Sequence, residues 1–279
     1  MAKDIIAAKK RIKLISPSKS NSMYNSNIYW SQKPYNICDV LIEELSDEGD
    51  VVFDPFMGSG VTILEAVRKK YKRCAVGCEI NEAPLFIVNT LLKEYDASTY
   101  HEAMSKFVDK LKKLKHYYST VCESCGSEAQ LTTIIFDLED RQGSPSVREI
   151  NYICPVCKRK KKTKENVAEV DLKKMNDRYE ICHIQEFKMF ENSKLAVYKN
   201  ETIDQIFTKR NYKVLDEIVG LIEGENEYKD IFRYVLMSIM HLCKITDTHS
   251  NSQWPLWIPN KNCVEKNIID IYIKKFDLI

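Results

Sequence analysis

The chain has 279 residues, 44% of them hydrophobic and 29% charged, with a formal net charge of +2. That composition suits a soluble protein with one large domain, or a core with one or two smaller modules. The near-balanced charge excludes a polyanion-binding field over the whole molecule, so any such site has to come from local clustering.

No run of about 18 apolar residues is present, so no membrane span is expected. The opening "MAKDIIAAKKRIKLISPSKSNS" has no uninterrupted apolar stretch of the signal-peptide kind. Of ten cysteines, four form two C-x-x-C pairs and six are scattered singly. That usage suits a reducing cytoplasm with one metal site better than a disulfide framework.

Residues 1–28 are polar and read as irregular or as an arm. "KPYNICDVLIEELSDEG" (Lys33–Gly49) carries Ile37, Val40, Leu41 and Leu45 at helical spacing, with a proline near its start. "VVFDP" is a short apolar strand broken by the turn "FMGSG". "GVTILEAVRKKY" then sets Ile63, Leu64 and Val67 on one helical face above a basic last turn. "RCAVGCEI" is a second apolar strand ending in Glu79, and "NEAPLFIVNTLLKEY" starts another helix. Strand, glycine turn, helix, strand is a βαβ unit, which predicts a parallel sheet. Ligands of such sheets bind at the carboxyl ends of the strands, where Asp54 and Glu79 both fall.

"STYHEAMSKFVDKLKKLKHYYSTV" predicts a long amphipathic helix. Val121 to about Thr163 differs: it holds both C-x-x-C pairs, the β-type segments "LTTIIFDL" and "REINYI", and the loop "EDRQGSPS". The run "KRKKKTK" and a weakly patterned segment to about Ile206 follow. Two helices are expected from "FTKRNYKVLDEIVGLIE" to "YKDIFRYVLMSIMHLCKIT", and the end is aromatic, proline-bearing and then helical. The expected division is 1–118 for the core, 119–166 for a zinc-ribbon module and 167–279 for a mainly helical region.

At the glycine turn, Gly58 and Gly60 permit positive φ and close approach of a ligand to the backbone. The following helix offers free N–H groups. Asp54 can accept from a cationic amine, and Glu79, 25 residues on, can accept from ribose hydroxyls. The alternative is a tight turn with no ligand. A phosphate-binding P-loop is excluded, because no Gly-Lys-Ser/Thr follows, and a dinucleotide fingerprint would want a glycine where Ile63 stands.

The stretch "SQKPYNICDVLIEELSDEGDVVFDPFMGSGVTILEAV" resembles the DNA amino-methyltransferases, which methylate N6 of adenine or N4 of cytosine. Their S-adenosylmethionine signature looks like D-P-F-x-G-S-G-T-T, preceded by T-Q-K-P, a helix and "GD". Here Ser31-Gln32-Lys33-Pro34, Gly49-Asp50 and Asp54-Pro55-Phe56-Met57-Gly58-Ser59-Gly60 match over roughly residues 29–90. Val61 departs where the family commonly has Thr, and Ser31 replaces Thr.

The resemblance implies a Rossmann-like α/β fold with an inserted zinc ribbon and a helical C-terminal region. Asp54, Pro55, Phe56, Gly58 and Gly60 would line the methionine side of S-adenosylmethionine. Ser31 and Lys33 would sit near its carboxylate, Glu79 at the ribose, and Ile80 and Asn81 beside the adenine. DNA is the implied partner.

Cys122-x-x-Cys125 and Cys154-x-x-Cys157 have zinc-ribbon spacing, with 28 residues between the pairs. Four thiolates leave no open position, so a zinc there would be structural. The alternative is two free dithiols. A subgroup of large zinc-ribbon-bearing DNA methylases looks similar further along, at "FTKRN", "HLCK" and "WPLWIP". "KRKKKTK" puts six cations in seven residues, which could contact phosphates or form a solvated loop. Tyr29, Trp30, Tyr35, Trp254 and Trp257 could stack on bases, with core packing the default. His241, in an apolar helix, reads as a core histidine.

The amino-methyltransferases need a second motif, [D/N/S]-P-P-[Y/F], which binds the target amine and stacks on a flipped base. No segment of the chain carries it, so no catalytic residue is assigned. A split enzyme with a second polypeptide bearing that motif, a truncated chain, and a cofactor- or DNA-binding pseudoenzyme are the three explanations. An RNA methyltransferase is a further rival, because fold does not fix substrate.

Overall fold

The computed structural model describes residues 5–19, 21–25, 29, 31–68, 70–139, 145–163, 166, 169–193, 197–248 and 258–276. Trp30, Trp254, Trp257, Lys164 and most of the loop "EDRQGSPS" lie outside the described residues. The chain divides into two compact units, one ending at Asp96 and the next beginning at Ala97.

The first unit runs α1 (Ile5–Lys13), a single turn α2 (Ser22–Asn25), α3 (Tyr35–Leu45), β1 (Val51–Asp54), α4 (Val61–Ala66), β2 (Cys74–Gly77) and α5 (Glu82–Leu92). Pro34 occupies the N-cap of α3, where its missing N–H costs nothing and its fixed φ suits helix entry. The α3 face bearing Cys38 and Ile42 is buried. β1 and β2 pair in parallel, Val51 with Cys74 through Asp54 with Gly77. One face of this pair, Val52 and Ala75, packs on Ile42, Ala66 and Tyr71. The opposite face leaves Val51 63%, Phe53 60% and Val76 50% exposed.

The helix expected over "GVTILEAVRKKY" stops at Ala66. Tyr71 turns back into the core instead, its hydroxyl donating to Asp39 Oδ1 at 2.6 Å. Lys72 then takes φ 50°, in the turn between α4 and β2.

The second unit begins with α6 (Ala97–Lys113), which tightens into a 3-10 turn at Leu114–Tyr118. β3 (Ser119–Val121), β4 (Glu128–Asp137), β5 (Ser146–Cys154) and β6 (Lys158–Thr163) follow, then α7 (Glu169–Asn176), α8 (Lys209–Glu223), α9 (Lys229–Cys243), β7 (Thr246–Asp247), β8 (Cys263–Lys266) and α10 (Ile268–Phe276). The sheet order is β6-β5-β4-β8-β7, with β3 also on β4. β8 pairs antiparallel with β4, Thr133 with Lys266 through Phe136 with Cys263, so the strands beside the cysteine turns and the C-terminal region share one sheet.

The helical core of this unit is aromatic. Phe107 of α6 stacks on Phe232 of α9 at 4.3 Å, with Tyr272 and Phe276 of α10 against it. "FTKRN" has a structural job here. Thr208 caps α8 through the N–H of Asn211. The fully buried Arg210 donates from Nε and Nη2 to both oxygens of Glu265 on β8, at 2.7 and 2.8 Å. Asn211 Nδ2 reaches the carbonyls of Cys243 and Lys266. Such a bidentate pair fixes register, because every buried polar group has a defined partner.

Candidate cofactor and metal sites

β1 delivers Asp54 at its carboxyl end, 7% exposed. Lys33, just before α3, makes an ion pair with Asp54 and also reaches the carbonyl of Phe56 at 3.2 Å and Thr62 Oγ1 at 3.5 Å. The N–H of Phe56 donates to Asp54 Oδ1. Burial alone would raise the Asp54 pKa, but hydrogen bonds from Lys33, Thr62 and Phe56, with the charge of Lys33, outweigh it and hold the carboxyl below its ordinary value. The group is therefore ionised at neutral pH, as acceptance from a cationic amine requires.

The turn after Asp54 uses its glycines as expected. Gly58 has φ 54° and Gly60 has φ 77°. A Cβ on Gly58 would lie 3.1 Å from the Tyr29 hydroxyl, and one on Gly60 would lie 2.1 Å from Val88 of α5. Gly60 is also the N-cap of α4. Glu79, just past β2, locks the turn from the other side: Oε2 accepts from the Gly58 N–H and Oε1 from the Asn81 N–H, each at 3.0 Å. Each oxygen keeps a further lone pair for a hydroxyl donor.

Ser31, Lys33, Asp54, Pro55, Phe56, Gly58, Gly60, Glu79, Ile80 and Asn81 all belong to this one unit. Phe56 is 83% and Ile80 99% exposed, two apolar side chains held open at the strand ends. Ser31 and Pro55 are exposed as well. Asn81 is engaged differently, since its side chain caps α5 by accepting from the Ala83 N–H at 3.0 Å. Two further residues belong with the set. Thr62 bonds the Lys33–Asp54 pair, and Tyr29 covers the turn at Gly58. A hydroxyl in the first turn of the helix was the available signal for Thr62; nothing in the sequence aims Tyr29 at Gly58.

Residues 9–90 match the DNA methylase family. The N-terminal segment is thus similar to the DNA amino-methyltransferases. A stretch of 62 residues is 42% identical to the orphan methyltransferase M.BamHII of Bacillus amyloliquefaciens. It covers 22% of this chain and 23% of that relative, so the match spans about a quarter of the relative's length. No solved structure matches the chain. The family segment thus coincides with the unit that carries the Lys33–Asp54 pair and the glycine turn, and ends near the close of α5.

The second cluster lies in the other unit. The sulfur atoms of Cys122, Cys125, Cys154 and Cys157 all lie within 4.8 Å of one another. Tetrahedral zinc with bonds of about 2.3 Å sets sulfurs about 3.8 Å apart, so the donor set fits by number, chemistry and spacing. Each pair sits on a turn. The Gly126 N–H donates to the Cys122 carbonyl at 2.8 Å with Gly126 at φ 70°. In the second turn Lys158 takes the left-handed conformation, at φ 66°. Burial would raise the Cys122 thiol, but the N–H groups of Ser124 and Cys125 and the Tyr152 hydroxyl outweigh it and bring it to about 6. Cys157 is pushed up to about 12, first by its hydrogen bond with Cys125. Four crowded thiols that resist losing their last proton are what a divalent cation relieves.

The basic run "KRKKKTK" forms β6 as far as Thr163 and is not one uniform patch. Lys162 is buried, bonded to Thr120 Oγ1 at 2.8 Å and Asp171 at 3.0 Å. Lys161 pairs with Glu149 at 3.2 Å. His241 is half-buried, and burial, then Lys266, Lys275 and Lys244, push its pKa down. No helix of the described residues is long and apolar enough to cross a membrane.

Proposed function

We propose that this chain is the S-adenosylmethionine-binding part of a DNA amino-methyltransferase that acts in the cytoplasm, carries a structural zinc ribbon, and needs a D-P-P-Y-bearing polypeptide to act on a base. The observation that carries the reading is the meeting of "SQKP" and "DPFMGSG" in the ionised Lys33–Asp54 pair beside the glycine turn. Asp54 would take the methionine amine, Lys33 and Ser31 the carboxylate, Glu79 the ribose hydroxyls, and Ile80 with the backbone at Asn81 the adenine. When bound, the cofactor supplies an electrophilic methyl group. The residues of this chain hold and orient it, so their contribution to rate is positional.

A second polypeptide is favoured by the outer edge of β1. β1 pairs only with β2 among the described residues. A groove of about 690 Å³ runs from that strand, at Val51 and Val52, along Leu41 and Ile42 of α3 to Lys33, Asp54 and Thr62. Parallel sheets are normally covered on both faces and extended by further strands. A strand laid in this groove would end beside the methyl donor.

The direct test is calorimetric titration with S-adenosylmethionine. Wild-type protein should bind, and Asp54→Ala should bind about 10–100-fold more weakly, the loss expected of one charge-assisted hydrogen bond. No binding by wild type, or equal binding by both, removes the cofactor reading. A non-catalytic nucleic-acid-binding module is the rival, and methyl transfer to DNA by the chain mixed with its D-P-P-Y partner separates the two.

A further inference from the structure

In the second unit a cavity of about 390 Å³ lies between α10 and the sheet. Thr133 of β4, Asn151 of β5 and Lys266 of β8 are cross-strand neighbours in its wall. Asp270, Ile271 and Lys274 of α10 form the facing wall, and Lys160 of β6 completes it.

The charges are unequal. Asp270 is the one acid among the lining residues, and it is already held by Lys115 at 3.0 Å. Lys160, Lys266 and Lys274 make no ion pair with any described residue. Lys266 is half-buried, and burial lowers its pKa. Lys266 also feels the attractive charge of Asp247 on β7, but the lining as a whole carries three lysines against one acid, an excess of positive charge. The hydroxyls and amide alongside them are donors that suit an oxyanion.

We infer that this cavity binds a backbone phosphate of DNA. Lys266 and Lys274 touch the phosphate directly, and Lys160 is the flank on the edge strand. The inference rests on the DNA reading above. It also places the phosphate in the recess rather than along the whole basic run, since Lys161 and Lys162 are already paired.

The test uses the full chain without cofactor, by fluorescence anisotropy on a random-sequence 20-base-pair duplex over a range of salt. The variants are Lys266→Gln, Lys274→Gln and the double change. Each single change should weaken binding about 3–10-fold, and the double change should lower the slope of log affinity against log salt by about 1.8, roughly 0.9 for each lysine charge removed from the phosphate. Lys274→Arg should retain wild-type affinity, and because Lys274 is exposed its replacement should leave the melting curve unchanged. Unchanged affinity and slope in the double variant overturn the inference. So does tight binding of a free nucleoside monophosphate with no binding of the duplex, which would make the recess a small-molecule site. Asp54→Ala should bind DNA like wild type, so failure of the cofactor reading and failure of this one give different results.

Discussion

Asp54 and Lys158 are two residues whose chemistry can be separated from that of their neighbours. The Asp54 carboxyl lies below its ordinary value of 3.8 because its partners favour the anion. A depressed carboxyl keeps its charge above that value and gives up its ionic hydrogen bonds only as pH falls through the folded pKa. S-adenosylmethionine affinity should therefore hold from pH 7 to pH 5, below the range near 8 in which the ligand's own α-amine loses its charge. A titration showing weakening with a midpoint above pH 5 would contradict the role given to Asp54. Lys158 carries a left-handed backbone at φ 66°, where its counterpart turn has Gly126 at φ 70°. A side chain there costs about 1–2 kcal/mol, partly offset by the greater unfolded-state freedom of glycine. Lys158→Gly should raise stability by about 0.5–1 kcal/mol, read as a higher denaturant midpoint. A lower midpoint would mean that the lysine side chain contributes more than its backbone costs.

Elements are legible where the hydrophobic period is clean. The α3 spacing, the β1 and β2 runs, the α5 start and the α8–α9 pair all show in apolar positions and caps. The α4 end does not, because Tyr71 is drawn to Asp39, 32 residues away along the chain, and no local pattern reveals that bond. β6 is hidden for a similar reason. Consecutive lysines have low strand preference, yet pairing with β5 and the buried Lys162–Asp171 bond impose a strand. The ribbon gives a prediction at this scale. Because β4 pairs with the strand that leads into the second cysteine turn and also with β8, metal removal should loosen the whole second unit. Metal analysis should find one zinc per chain, and chelation should lower the melting midpoint of that unit while leaving S-adenosylmethionine affinity unchanged. A fully loaded chain whose melting is indifferent to chelator would make the metal incidental to the fold. A chain with no zinc would remove the ribbon reading.

At the scale of the molecule, the candidate site is readable because its residues cluster in two short motifs, whereas its surroundings depend on packing between distant segments. Lys33 and Asp54 lie 21 residues apart, and the family resemblance implies one ligand for both, while the fold brings the two side chains into one ion pair. Thr62 and Tyr29 enter only through folding. The sheet itself raises the last question. Two parallel strands with one exposed apolar face are a marginal structure by themselves, since independent stability usually takes three or more strands or cover on both faces. If a D-P-P-Y-bearing polypeptide supplies the neighbour, the peptide groups on the outer edge of β1 become hydrogen-bonded on mixing. Hydrogen exchange should then slow at Val51–Asp54, and exposed Val51 and Phe53 should become protected from solvent probes. Methyl transfer to DNA should appear only in the mixture. Leu41→Asp, placed in the groove beside β1, should abolish both protection and transfer while leaving S-adenosylmethionine bound to the first unit. Transfer by this chain alone, or by the mixture with β1 exchange unaltered, would mean that the base-binding residues reach the methyl donor by another route than this edge.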